Sequence, residues 1–227
     1  MPGGWGMYIV FLLPPLVLGL LAQGWVKRAV ATNLEVRIAN GMSGAEIARA
    51  ILNANGLQGV PIERSPGGAL SDHYDPTSRT VRLSQDIHDG VSVASTAVAA
   101  HEVGHAIQHA KAWAPLAFRT ALWKPVAFAS QAWMLLLFAG FILGALQLVW
   151  AAIALYSLAV LFHFVTLPVE FDASRRAGQQ LRQLGLVTDG EAVGVRRVLT
   201  AAASTYVAGA LAALSQLIYY VMVARSQ

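Results

Sequence analysis

Two histidines four residues apart, with a glutamate beside the first, stand at His101-Glu102-Val103-Gly104-His105. On a helix, residues four apart share a face and lie one turn, about 6 Å, apart along the axis. Two imidazoles so placed converge on one zinc ion, and Glu102 projects beside a water on that metal. Zinc brings the pKa of such a water toward ~7, so a carboxylate can take its proton and later hand it to a leaving amine. The pattern fixes only three residues and arises by chance in a modest fraction of proteins. Its surroundings add weight. Ala97-Val98-Ala99-Ala100 precedes it and Ala106-Ile107 follows, so the histidines belong to an apolar, buried helix, where polar groups need partners.

A catalytic zinc wants a third protein ligand and an open position. His109 is nearest, but on an unbroken helix it lies about 12 Å from His101 along the axis, too far for ligand bonds of about 2 Å. Gln108 occupies the position where a turn-permitting glycine stands in metzincins. His109 is therefore read as a surface residue or a neighbour of a ligand. Glu170, in Leu167-Pro168-Val169-Glu170-Phe171-Asp172, is the stronger candidate. A carboxylate at the end of an apolar stretch is costly unless it is paired or metal-bound. Pairing with Arg175 or Arg176 is the competing reading. The expected cofactor is a single Zn2+ per chain, held by His101, His105 and Glu170 with Glu102 as the catalytic carboxylate.

Other residues carry two readings each. Asp172 either orients a ligand histidine or pairs with Arg175 or Arg176. His73 and Tyr74 either stabilise an oxyanion or shape a hairpin. His163 lies in an apolar stretch, where an ionisable group is a functional candidate, and a buried hydrogen-bonding role suits it better. The strand Thr80–Ser84 either accepts an extended substrate along its edge or is structural.

The elements that position these residues follow from composition. Of 227 residues, 56% are hydrophobic and 12% charged, against about 25% charged in a typical soluble domain. No Asp, Glu, Lys or Arg occurs in Met1–Val26, Pro125–Val169 or Val198–Ala224. About 20 apolar residues cross the ~30 Å of hydrocarbon, so the first and third stretches fit one span each. The middle one fits two, with a turn near Gly144–Gln147. The first has no positive leader and no small-residue cleavage site, so it reads as a retained anchor rather than a signal peptide, kinked at Pro14 and Pro15.

The expectation is a mainly α membrane protein with four transmembrane helices and a small cytoplasmic α+β segment. Its divisions are a first span over 1–26, a segment 27–122 with the H-E-x-x-H helix, two spans over 123–167, a segment 168–198 with the third ligand, and a last span over 199–224. Of the 16 lysines and arginines, all except Arg225 lie between Lys27 and Arg197, which puts both hydrophilic segments in the cytoplasm. Nucleic acid is not an expected partner, because the basic residues are not interleaved with aromatics; the bilayer and a protein or peptide substrate are. The absence of cysteine excludes disulfides and thiolate zinc sites.

Within the hydrophilic segments, Met42-Ser43-Gly44-Ala45-Glu46 opens a helix with Ile47, Ile51 and Leu52 on one face and Gly56 at its end. Val60–Glu63 reads as a short strand. Ala69–Tyr74 and Arg79–Ser84 flank the turn Asp75-Pro76-Thr77-Ser78 as a small hairpin. Ser92–Ala112 reads as one long helix. Gly140 and Gly144 form a small-xxx-small pair that packs helices within one chain or between chains.

Together, Ser71-Asp72-His73-Tyr74-Asp75-Pro76, the run Val98–Gln108 and Leu167–Ser174 resemble the bacterial YugP-like neutral zinc metallopeptidases. The resemblance takes in the run from Leu70 to Gln108 and the layout of spans. It implies a membrane zinc peptidase of the bacterial inner membrane, with His101 and His105 as ligands, Glu102 as catalytic carboxylate and Glu170 as third ligand, as in gluzincin-type enzymes. HtpX-like membrane proteases carry an Asp four residues after the ligand Glu; here that residue is Ser174. The reading from residues alone keeps one alternative of another class, a zinc-stabilised membrane scaffold or protease-recruiting partner. A transporter is a weaker possibility, since His163 alone is ionisable within the spans.

Overall fold

A computed structural model describes residues 4–68 and 71–226. In chain order its elements are α1 (Gly4–Leu34), α2 (Gly44–Ala54), β1 (Ile62–Arg64), β2 (His73–Asp75), β3 (Thr80–Leu83), α3 (Gln85–His88), α4 (Val93–Ala110), α5 (Ala114–Leu143), α6 (Leu146–Gln183) and α7 (Asp189–Arg225). They form two compact units. One holds the chain up to Gln23, Ala117–Pro168 and the chain from Thr205; the other holds Gly24–Leu116 and Val169–Ser204.

The first unit is built from parts of α1, α5, α6 and α7, and each of these helices is long and apolar enough to cross a membrane. The protein is thus a mainly α membrane protein, with four such helices among the described residues. Ile142, Leu135 and Phe128 are 81%, 72% and 70% exposed, as suits side chains that meet hydrocarbon while each helix satisfies its own backbone. Inside, Leu137, Val149, Ala152 and Ile153 pack with Trp133 and Tyr220. The turn expected near Gly144 is there, with Gly144 at φ +60 between α5 and α6. A Cβ on Gly140 would lie 2.7 Å from Val149 Cγ2. The Gly140/Gly144 pair therefore acts within the chain, the first by admitting α6 against α5 and the second by turning the backbone. Helix α1 continues through Pro14 and Pro15.

The second unit is built on α4. Ser92 caps it by accepting a hydrogen bond from the Ser95 amide at 3.0 Å, and its alanine-rich sequence favours helix. Ala97, Ala100 and Val103 are buried against Ile47, Ile51 and Leu52 of α2 and Val81 and Leu83 of β3. Helix α2 opens with the capping box Ser43/Glu46 and ends at Gly56, whose φ of +73 suits glycine.

The sheet has the order β1-β3-β2, with β1 parallel and β2 antiparallel to β3. This corrects one expectation. Strand β3, within the expected Thr80–Ser84, is central, and Thr80, Val81 and Leu83 are all buried. It has no free edge for a substrate; β2 and β1 hold the edges. The expected hairpin forms from β2 and β3, but its first strand is shorter and shifted: His73 and Tyr74 are as expected, Asp75 joins the strand rather than the turn, Ser71 and Asp72 fall outside it, and Ala69 and Leu70 lie outside the described residues.

The turn between β2 and β3 is held by Asp75. Its carboxylate accepts from the Thr77 amide at 2.8 Å, from the Ser78 hydroxyl at 2.7 Å and from Arg82 Nη1 at 2.9 Å. Those donors hold its pKa well below the usual carboxylate range, the Ser78 bond foremost.

One contact fixes the course of α6 over α4. A Cβ on Gly104 would lie 2.6 Å from the carbonyl oxygen of Ala173, closer than real Cβ contacts come.

Two outcomes are expected. Gly104→Ala lowers the stability of the protein in detergent by about 1–3 kcal/mol through overpacking, reversing the ~1 kcal/mol that alanine gains over glycine in an unobstructed helix. Denaturant titration reads the sign, and a stabilised variant refutes the tight approach. For Asp75→Asn, the stability gap from wild type is complete above the unfolded aspartate pKa of about 4 and closes as pH falls through the lower folded value. A gap that stays constant down to acid pH contradicts the ionic brace.

Candidate metal centre

His101 and His105 lie one turn apart on α4, with ring centroids 4.8 Å apart and planes at 84°. Their Nε2 atoms converge on Glu170 Oε2 of α6, at 3.2 Å from His101 and 3.5 Å from His105. One ligand atom from each of the three residues lies within 4.8 Å of the others. Glu170 is 2% exposed. The competing partners Arg175 and Arg176 both turn instead to Asp172. Two imidazole nitrogens and a carboxylate oxygen, gathered at one buried point, match the donor set of a catalytic zinc site with a position left for water. The residues fit the metal.

Glu102 is 7% exposed, and the backbone N–H of Tyr74 on β2 favours its charged form. Burial pushes its pKa up to about 7; His101 opposes the rise, and the charges of Glu170 and Asp72 add to it. A carboxyl poised near neutrality is suited to general acid–base work.

The remaining candidates separate. Tyr74 and His73 point to opposite faces of β2, as successive strand residues must. The Tyr74 hydroxyl pairs with His109 Nδ1 at 2.8 Å, which accounts for His109 as a neighbour of the site rather than a member of the cluster. His73 is exposed, with Nδ1 2.8 Å from the Ser71 carbonyl. The structure does not bring it to the cluster. His163 belongs to the apolar unit, facing Gly209. Asp72 accepts from the amide and hydroxyl of Ser84, at 2.7 and 3.0 Å, and so ties β3 to the segment leading into β2.

Beside each histidine stands a further polar group. Ser174 Oγ is 3.1 Å from His101 Nδ1, so the position that departs from the HtpX-like pattern still touches a candidate ligand. Gln108 Oε1 is 3.1 Å from His105 Nδ1, and its Nε2 donates at 2.9 Å both to the Val169 carbonyl and to Asp172 Oδ2. Sequence reasoning passed over Gln108. The signal was its spacing, three residues after His105 on the same helical face.

The geometry predicts about one zinc per purified chain, lost in His101→Ala and Glu170→Ala and kept in His109→Ala, as read by elemental mass spectrometry. Retention of zinc by Glu170→Ala would remove α6 from the site.

Comparison with known proteins bears on the chain as a whole. The chain matches, over residues 8–225, the family described as "Putative neutral zinc metallopeptidase". A protein of Bacillus subtilis (strain 168) described as "Putative membrane protease YugP" is 44% identical over 217 residues, which cover 96% of each chain. No solved structure matches. The matched span takes in both helices from which the buried donors come, and with it the chain belongs to the neutral zinc metallopeptidase family, as a multi-pass membrane protein.

Proposed function

We propose that this protein is a zinc-dependent metalloendopeptidase that hydrolyses peptide bonds of membrane or membrane-proximal proteins, with its site on the cytoplasmic side of a bacterial cell membrane. The observation that carries the reading is the convergence of His101, His105 and Glu170 with the buried Glu102 on the same helix. The relative described as a membrane protease supports the reaction class. The grouping of every basic residue except Arg225 between Lys27 and Arg197 supports the cytoplasmic side.

In this mechanism His101, His105 and Glu170 hold the metal. Bound zinc supplies a Lewis acid that makes water nucleophilic near neutral pH. The Glu102 carboxylate takes the proton of the attacking water and returns it to the nitrogen of the leaving amine. Strand β2 is an outer strand of the sheet and packs against α4, the helix that carries Glu102. An extended peptide laid along β2 would run beside that helix. Burial of His105 and Glu170 limits bulk water and strengthens their electrostatics. A scaffold role is not favoured, because a structural site has no need of a buried carboxylate such as Glu102.

Glu102→Gln is expected to keep zinc while losing about 10²–10⁴-fold in cleavage of a protein substrate. A variant that retains both zinc and wild-type cleavage would end the assignment. The membrane-proximal part is tested separately with a tethered reporter beside a soluble unfolded chain. Cleavage of the soluble chain alone refutes it.

A further inference from the structure

We infer that Gln108 is a positioning residue that fixes His105 for metal binding and registers it against the backbone that carries Glu170. The inference rests on the zinc reading above. Gln108 is fully buried, so its amide must find partners within the protein. A glutamine amide offers two N–H donors and one carbonyl acceptor. Both donors are committed, to the Val169 carbonyl and to Asp172 Oδ2 at 2.9 Å each. The atom facing His105 Nδ1 at 3.1 Å is then Oε1, an acceptor only. His105 must supply the hydrogen from Nδ1, which leaves the lone pair on Nε2, the nitrogen that faces Glu170 Oε2. A carboxylate oxygen and an imidazole lone pair opposed in this way attract a divalent cation.

The same side chain reaches Val169, the residue before Glu170, so one amide contacts both the histidine from α4 and the helix turn that presents the carboxylate from α6. Asp172 completes the chain of contacts. Its charge is matched by Arg175 and Arg176, so it can hold the Gln108 N–H without passing a net negative charge to the imidazole. Outer partners of metal-bound histidines generally set ring orientation and tautomer; here a neutral amide does so, with the carboxylate one step removed.

The test uses the full chain in detergent, with Gln108→Met, Ile51→Ala and His105→Ala measured beside wild type. Zinc affinity is read by competition with a chelator, and ligand geometry by the visible spectrum of the cobalt(II) form. Methionine fills a similar volume without donating or accepting as the amide does. Gln108→Met is expected to weaken zinc binding about 10- to 100-fold and to alter the cobalt spectrum. Ile51→Ala, a core truncation in α2, is expected to lower the unfolding temperature while leaving zinc affinity unchanged. The inference is overturned if Gln108→Met binds zinc as wild type does with a superimposable cobalt spectrum, or if Ile51→Ala weakens zinc as much as Gln108→Met. His105→Ala separates the two levels. Loss of zinc there with retention in Gln108→Met sinks the role of Gln108 alone, whereas a wild type that takes up no zinc sinks the metal reading beneath it.

Discussion

The site depends on two stretches of backbone lying closer than any side chain would allow. Gly104 of α4 abuts the Ala173 carbonyl of α6 with no room for a methyl group between them. His101 and His105 stand three residues before and one residue after Gly104. Glu170 and Ser174 stand three before and one after Ala173. The residues that flank the contact on one helix are thus the ones that touch their counterparts on the other. A glycine inside a helix costs about 1 kcal/mol in propensity, and that cost is offset by joining side chains 69 positions apart in the chain.

A second set of restraints holds β2 against α4. Tyr74 is tied through its hydroxyl to His109. Asp75 braces the turn that follows through Arg82, and Asp72 anchors the approach through Ser84. The run from Ser71 to Pro76 therefore acts mainly as a mount. Its acids fix the loop, its tyrosine spans to α4, and its histidine turns outward.

How far these features could be read from the sequence depends on their range. Three charge-free stretches that fit four spans, the α4 helix and the start of α2 at Ser43 are local patterns, and the structure has all of them. Glu170 was legible for a different reason, since a carboxylate at the end of an apolar run demands a partner wherever that partner lies. The central place of β3 was not legible. Its parallel neighbour β1 is three residues long, too short for a period to declare itself, and which edge is covered is a long-range fact. Gln108 was hidden because an uncharged glutamine on a helix reads as surface until Val169 and Asp172 are known to lie against it. Asp172 had two readings, orienting a histidine or pairing with arginine; the structure pairs it with Arg175 and Arg176, and its remaining contact is with Gln108 rather than with a histidine.

The candidate donor set consists of two imidazoles and a carboxylate, in a chain with no cysteine. Thiolate sites lose their metal when sulfur is oxidised, and cells exploit that loss as a switch. None of the three donors here undergoes such chemistry. On the proposed zinc reading, peroxide or disulfide stress does not silence the centre by stripping a sulfur ligand, which leaves the supply of zinc and the admission of the chain to be cut as its points of control.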